Sequence, residues 1–462
     1  MKSGKKRTTS FSPFAPICCV ILLSVLATRL IPPGVFERVQ VSGRAVIVPG
    51  SFHPATAKSL SFFSVFLAIP YGFIGTANLI FLILLVGGAI EVYNRTGAIA
   101  AGLHALTRKT GKTARVFLLF FIFCLLLVLG GFFGWVQAAI PFVPLVVPLV
   151  LSLGFDPLVA AAVVILGLLV GFCAGPSNLY TVGVAQQVAG LPLFSGFGLR
   201  LLIFGVFGLL SFFFILRQIK KDAGSDNVET RGGAADAAVP LSVEPEGKCA
   251  SRLILAVIFL TFGLVTRGML YLDWGPAEIA AAFTASGIVA GILRRFSTAE
   301  IAACFTEGAK NALTGAMIVG TAGGVQWVLE KGCIIDPIIY YLSGFLSGLP
   351  PLAAAVGVSV IVALVGGLIP SGSGKAVVLA PIMIPLADMI GLTRQTTILA
   401  YQFGDGLANL VWFTYGTLLI FLDYAKTPLS RWYRFVLPLL LILTAVAVLF
   451  LWIAVKINYG PA

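Results

Sequence analysis

Residues 366 to 375 read GGLIPSGSGK and lie between two apolar runs, Pro351 to Val365 and Ala376 to Ile390. Each run has about 15 residues, which at ~1.5 Å per residue falls short of a bilayer core of ~30 Å. The two runs together therefore read as a re-entrant helical hairpin. Pro370 removes a backbone donor, and Gly372 and Gly374 tolerate unwound geometry, so the tip is expected to present N–H and C=O groups at membrane depth. Such backbone survives there only where it lines a buried or watery cavity, which is how a transporter builds a binding site.

The remainder of the chain is just as apolar. Of 462 residues 59% are hydrophobic, and the mean hydropathy is +1.03, which implies an all-α polytopic protein in a lipid bilayer. A net charge of +13 raises the question of nucleic acid. Lys and Arg, however, are scattered among short connections and gather on no one domain, so nucleic acid is not an expected partner. The seven Cys, Cys18, Cys19, Cys124 and Cys173 among them, show no paired spacing, and His53 and His104 have no ligand-like neighbours. No metal site or bound cofactor is expected. GSGKA lacks the upstream glycine and the following Ser or Thr of a Walker loop, and no hydrolase elbow is present, so the chain reads as neither an enzyme nor an ATP-driven pump.

Landmarks recur at matched distances. Gly87-Gly88 precedes Gly130-Gly131 by 43 residues, and Gly323-Gly324 precedes Gly366-Gly367 by the same 43. Each second pair leads into P-x3-P-x5-G, at Pro144, Pro148, Gly154 and at Pro381, Pro385, Gly391. A two-fold internal repeat follows. It organises the chain as a cytoplasmic tail and first helix (1–32), an extramembrane β-rich loop (33–60), repeat 1 (61–217), a cytoplasmic linker (218–251), a linker helix (252–272) and repeat 2 (276–456). Repeat 1 holds a hairpin at 115–150 and a broken helix at 157–190, and repeat 2 a hairpin at 350–390 and a broken helix at 393–423. Outside the hairpins nine crossings are expected, and the single linker helix makes the two repeats inverted. The early loop contains VFERVQVSGRAVIVPGSF, whose alternation predicts a β-hairpin.

Charge supports this topology. With the N-terminus cytoplasmic, the basic clusters Lys5 to Arg7, Arg108 to Arg115, Lys220-Lys221, Arg294-Arg295 and Arg431 to Arg434 all fall on the inner side. A multi-pass protein of a bacterial-type inner membrane is the expected setting, and a scaffold with many apolar faces is compatible with a homodimer.

The candidate site lies where two hairpin tips meet two helix breaks, AGPSNLYTVG (Ala174 to Gly183) and FGDGLANLVWFTYG (Phe403 to Gly416). Its expected substrate- or ion-binding residues are Gly134, Gln137, Asn178, Thr181, Ser371, Gly372, Ser373, Lys375, Asp405, Asn409 and Thr414. Helix N-termini there favour carboxylates, while C-terminal carbonyls and Ser, Thr or Asn oxygens suit sodium, so Na+ or H+ is the expected coupling ion. A lone Lys at the bilayer centre costs ~2.5–3.5 kcal/mol on insertion scales, and Asp405 is the natural counter-charge for Lys375. The pair reads either as a structural tie for the tip or as a functional one, with Lys375 meeting a substrate carboxylate or Asp405 coupling a cation. Asn178, Thr414 and the other polar residues could each merely cap a half-helix. Glu91, Asp388 and Arg394 read as interfacial charges.

IPPGVFERV, VPGSFH, TVGVAQQVAGLPLFSG, LSGLPP, IPSGSG and QFGDG, spread over nearly the whole chain, resemble the YfcC-type membrane proteins of the ion transporter superfamily. That family is described as anaerobic four-carbon dicarboxylate carriers or basic amino acid antiporters. The resemblance implies an elevator-type secondary carrier, in which a transport domain of hairpins and broken helices moves against a scaffold. Several positions depart from the family pattern. Gln137-Ala138 stands where two adjacent Glu are usual, Leu179-Tyr180 interrupts an Asn-Pro-Phe-Thr pattern, Phe413-Thr414-Tyr415-Gly416 replaces Pro-Thr-Ser-Gly, and Lys375 replaces a common Gln. Losing two acids and gaining a base favours an anionic substrate over a cationic one. The expected function is ion-coupled or exchange transport of a small organic anion, such as a C4-dicarboxylate, or an amino acid. The alternatives are a basic amino acid antiporter and a degenerate carrier serving as a membrane sensor or scaffold.

Overall fold

The computed structural model describes residues 14–41, 44–48, 50–56, 60–107, 111–223, 248–272, 274–346, 348–369 and 372–460. Ser371, the side chain of Ser373, the tail before Phe14 and most of the 218–251 linker lie outside the described residues.

Helix α1 (Phe14–Leu30) leads into the alternating stretch, which pairs as two antiparallel ladders, β1 (Gly34–Val35) with β4 (His53–Pro54) and β2 (Arg38–Val41) with β3 (Arg44–Ile47). The loop is docked onto the helical body. Asp336 accepts from the Phe36 N–H at 2.9 Å and from Arg38 Nη2 at 2.8 Å, and Phe52 stacks on Tyr340 with ring centroids 4.2 Å apart.

Helices α2 (Ser64–Gly75), α3 (Ala77–Arg95), α4 (Ala98–Thr107) and α5 (Lys112–Phe133) follow, then a 3-10 turn at Ile140–Phe142 and α6 (Val143–Ser152). The first broken helix is α7 (157–174) and α8 (179–188), separated at Gly175 to Asn178, after which come α9 (Phe197–Ala223) and α10 (Lys248–Tyr271). The second half comprises α11 (Pro276–Leu293), α12 (Thr298–Lys331), α13 (Ile335–Gly344), α14 (Pro351–Gly366), α15 (Gly372–Met389), α16 (Arg394–Ala408), α17 (Gly416–Tyr424) and α18 (Leu429–Lys456).

Among the described residues eight helices are long and apolar enough to cross a membrane. They differ in part from the nine expected crossings. Helix α1 has only 17 residues, the 395–423 segment is divided, and α5, expected as a short hairpin leg, has 22. Helices α2, α4 and α13 are further short elements that hydropathy did not separate from their neighbours.

Packing explains two more differences. Helix α12 starts 14 residues before its apolar run, at a capping box in which Ser297 Oγ accepts from Glu300 N at 3.2 Å and Glu300 Oε2 accepts from Ser297 N at 2.7 Å. Its small residues then admit neighbours at backbone contact: a Cβ on Gly72 of α2 would lie 2.4 Å from the Gly320 carbonyl oxygen, and one on Gly308 would lie 2.2 Å from that of Gly87 on α3. Gly404 and Gly406, expected to unwind the second break, are likewise helical within α16, which stays intact to Ala408. They are small because α16 is pressed between α14 and α7, a Cβ at either falling 2.2 Å from Ser359 O or Cys173 Cβ. At the centre, every residue from Pro157 to Ala174 and from Gln395 to Ala408 is buried, so these two helices form the interior against which the others pack.

Candidate functional site

Helix ends converge in the middle of the molecule. Helix α5 closes on Gly134, whose left-handed backbone (φ 69°) lets Gly134 N donate to Gly130 O and Trp135 N to Leu129 O, both at 3.1 Å. Helices α7, α14 and α16 also end here, and α8, α15 and α17 begin here. Between them is a cavity of about 210 Å³. Gly134, Gln137, Phe172, Tyr180, Gly372, Asn409 and Tyr415 line it from the helix ends, and Leu79, Leu82, Trp274, Gly275, Pro276 and Ile279 face them from α3, the α10–α11 connection and α11. Among the described residues that line the cavity none has a charged side chain, and Glu278 Oε2 accepts from the N–H of the lining Gly275 at 2.9 Å.

The expected site residues divide into two groups. Gly134, Gln137, Gly372 and Asn409 line the cavity. Asn178, Thr181, Lys375, Asp405 and Thr414 are buried behind it. Asn178 is a brace whose carboxamide is used on both sides: Nδ2 donates to Phe172 O at 3.1 Å, and Oδ1 accepts from Tyr180 N at 3.0 Å, capping α8. Thr414 donates to Gly367 O at 2.8 Å and ties the second break to the end of α14. Lys375 and Asp405 form an ion pair with both side chains fully buried. The pair lies directly behind Gly372, since a Cβ there would meet Asp405 Oδ2 at 3.2 Å.

Carbonyls freed at the helix C-termini are shared between backbone N–H groups of the following turns and a set of side chains. Gln402 Nε2 donates to Gly175 O at 2.8 Å and to Phe172 O at 3.3 Å, and Trp412 Nε1 donates to Ala363 O at 2.6 Å. Trp432 Nε1 reaches Leu410 O at 2.9 Å, and the Tyr433 hydroxyl reaches Val411 O at 2.7 Å. The Tyr401 hydroxyl donates to Gly372 O at 2.8 Å and holds the start of α15.

Sequence reasoning missed this bracing layer. Its signal was that the α16 segment is polar for a buried helix, with Gln395, Thr396, Thr397, Tyr401, Gln402 and Asp405 inside 14 residues that are all buried. Arg200 was missed as well. It is fully buried, donates to Gln402 Oε1 and, at 3.5 Å, to Gln395 Oε1, and has no carboxylate partner among the described residues. Asp388 and Arg394 pair at 2.8 Å with nearly half of each side chain exposed, and Glu91 pairs with Arg95 at 3.3 Å beside a second cavity of about 500 Å³.

A chain with eight helices long and apolar enough to cross a membrane among its described residues, and a central cavity between helix ends, has the architecture of a membrane transporter. The family can be stated more closely: the chain belongs to the C4-dicarboxylate anaerobic carriers (DcuC), whose sequence profile matches residues 13–456. Among its relatives, an uncharacterised protein of Haemophilus influenzae is 29% identical over 489 residues, covering 95% of this chain and 96% of the relative. YfcC of Escherichia coli, provisionally named a basic amino acid antiporter, is 29% identical over 478 residues, covering 93% and 94%. Of solved structures, MtrF of Neisseria gonorrhoeae, from a class of antimetabolite efflux pumps, is similar at 18% identity with a TM-score of 0.45, covering 98% of each chain. The YdaH transporter of Alcanivorax borkumensis is similar at 17% identity with a TM-score of 0.43, covering 97% of this chain and all of its own.

Proposed function

We propose that this protein is a secondary transporter for a small carboxylate, with a C4-dicarboxylate as the first candidate and an amino acid as the second. One asymmetry carries the reading. The N-terminal ends of α15 and α17, at Gly372 and Tyr415, open onto a cavity whose described lining carries no charged side chain, while Gln402, Asn178, Thr414 and Trp412 occupy carbonyls at the ends of α7 and α14. Each open N-terminus contributes roughly half a positive charge, which suits carboxylate oxygens. An arginine or ornithine side chain would bury its cation there with no carboxylate among the described lining residues to meet it.

Transport is proposed to follow an elevator path, with α5–α8 and α14–α17 moving against α3, α11 and α12. The cavity on that boundary supports this, as do the two half-chains in which a hairpin is followed by a broken helix, read as inverted repeats. Basic clusters on one side support a cytoplasmic N-terminus in an inner membrane.

The test is thermal denaturation of detergent-purified protein with dicarboxylates, neutral amino acids or basic amino acids, since a ligand of the folded state raises the melting temperature. Stabilisation by dicarboxylates, lost in Asn409→Leu, is expected. Stabilisation by arginine or ornithine alone would replace this reading with basic amino acid antiport, the activity in the name of the Escherichia coli relative.

A further inference from the structure

Among the described residues, Arg200, Asp336, Lys375 and Asp405 are the charged ones that are buried. Asp336 pairs with Arg38, and Lys375 pairs with Asp405. Arg200 alone meets no described carboxylate. Its guanidinium donates to Gln402 Oε1 and, at 3.5 Å, to Gln395 Oε1, has the Tyr459 hydroxyl as a further neighbour, and leaves Nε without a partner among the described residues. Burial holds the Tyr459 phenol above its ordinary value, so it stays neutral and does not offset the charge. The guanidinium itself is always protonated.

Bracing alone does not call for a cation here. Gln402, Asn178, Trp412, Thr414 and Tyr401 hold the backbone around the cavity with neutral side chains, and burying a cation without a counter-ion is costly. The position of the charge points to another use. Gln402 Nε2 donates to Gly175 O at 2.8 Å and to Phe172 O at 3.3 Å, so two hydrogen bonds lead from Arg200 to the end of α7 and to a residue that lines the central cavity. A helix C-terminus is the negative pole of its dipole and repels an anion. Arg200 stands behind this one with the opposite sign. It is also fastened to α16 by Gln402 and Gln395, and its helix α9 packs on α5 and α16, Phe204 against Phe132 with centroids 5.5 Å apart and Phe207 against Phe403 at 5.6 Å.

We infer that Arg200 is the fixed counter-charge of an anionic substrate, a positioning residue that does not touch the substrate but, acting through Gln402, makes the cavity positive and travels with the helices that carry it. The Lys375–Asp405 pair sums to zero, so the buried interior of those helices holds one positive charge when empty. Loaded with a dicarboxylate it holds one negative charge, where without Arg200 it would hold two. The cost of a charge in a low-dielectric medium rises with its square, so the loaded state carries about a quarter of the penalty. A neutral amino acid would leave the guanidinium uncompensated in both states. The inference rests on the carrier reading above and narrows it to anions.

Succinate and its monoamide, succinamate, share one four-carbon skeleton and differ by one negative charge. Their affinities for full-length protein in detergent are read from melting-temperature titrations at a pH where both are fully ionised. Coulomb energy scales with ligand charge, so the loss of Arg200 weakens succinate by the square of the factor by which it weakens succinamate. Arg200→Gln is expected to weaken succinamate about threefold and succinate about tenfold. Arg200→Lys, which keeps the charge, is expected to keep the wild-type ratio of the two affinities. Gln395→Glu leaves Arg200 in place but neutralises it, and is expected to lower the ratio as Arg200→Gln does, which decides the matter even where Arg200→Gln does not fold. A bracing role weakens both acids by one factor, so an unchanged ratio in a folded Arg200→Gln or in Gln395→Glu overturns the inference. Wild type that binds neutral amino acids and neither acid overturns it as well and leaves the carrier reading standing. Wild type that binds none of these ligands overturns both.

Discussion

The Asn178 side-chain oxygen stands 2.3 Å from the point where a Cβ on Gly134 would be, which binds the first hairpin tip to the first helix break. Gly134 also adopts φ 69°, a left-handed backbone costing a residue with a side chain ~1–2 kcal/mol. Gly134→Ala is therefore expected to lower the melting temperature by several degrees and to reduce uptake in proteoliposomes. Gly205→Ala, in a helix with nothing within 4 Å of the added carbon, is expected to be neutral or stabilising by ~0.5–1 kcal/mol. Equal effects from the two would show that the tip has room the structure denies it.

Gln402 serves two neighbours with opposite needs, donating to Gly175 O at 2.8 Å and accepting from the buried Arg200. Gln402→Leu leaves a buried guanidinium without that acceptor and is expected to cost ~3 kcal/mol or more in thermal denaturation. Gln402→Glu keeps an acceptor for Arg200 but cannot donate to the helix break. It is expected to recover most of the stability and little of the transport. Full uptake by the Glu variant would remove the bracing role.

Gly404 and Gly406 separate a packing role from an unwinding one. A Cβ at either lies 2.2 Å from an atom of a neighbouring helix, so Gly404→Ala and Gly406→Ala are each expected to destabilise by ~1–3 kcal/mol through overpacking. Were these glycines present to break the helix, alanine would extend or stabilise α16 instead, and the melting temperature would rise.

Asp336 anchors the β-rich loop through the Phe36 N–H and Arg38, with its side chain 5% exposed against 37% for Arg38. Removing the buried carboxylate strands a backbone donor, whereas removing the half-exposed arginine loses a screened ion pair. Limited proteolysis should cut within 33–56 faster in Asp336→Ala than in Arg38→Ala. Equal rates would mean that the Phe52–Tyr340 stack alone, with its centroids 4.2 Å apart, holds the loop.

Much of this was legible in the chain as written. Apolar runs and their interruptions located most of the membrane-spanning helices, the break at Gly175 to Asn178 and the break after Ala408. Alternation in VFERVQVSGRAVIVPGSF foretold the paired strands. Lys375 and Asp405 were matched because two opposite charges in otherwise apolar surroundings have few other partners. These signals are local, or else rest on the cost of burying charge, and a one-dimensional reading detects both.

What tertiary structure decided was which polar groups face the cavity and which hold the backbone around it. Gln402 and Gly175 are 227 residues apart, and Trp412 and Ala363 are 49 apart, so no spacing rule joins them. Glycines look the same in sequence whether they are expected to unwind a helix, as at Gly372 and Gly374, which the structure instead places in the first turn of α15, or admit a neighbouring one, as at Gly404 and Gly406. A freed carbonyl must find a donor, but the donor that reaches it depends on how helices from both halves of the chain are packed together. Composition and pattern thus determined a multi-pass transporter with two broken helices, and only the packing separated the side chains that line its cavity from those that brace the backbone around it.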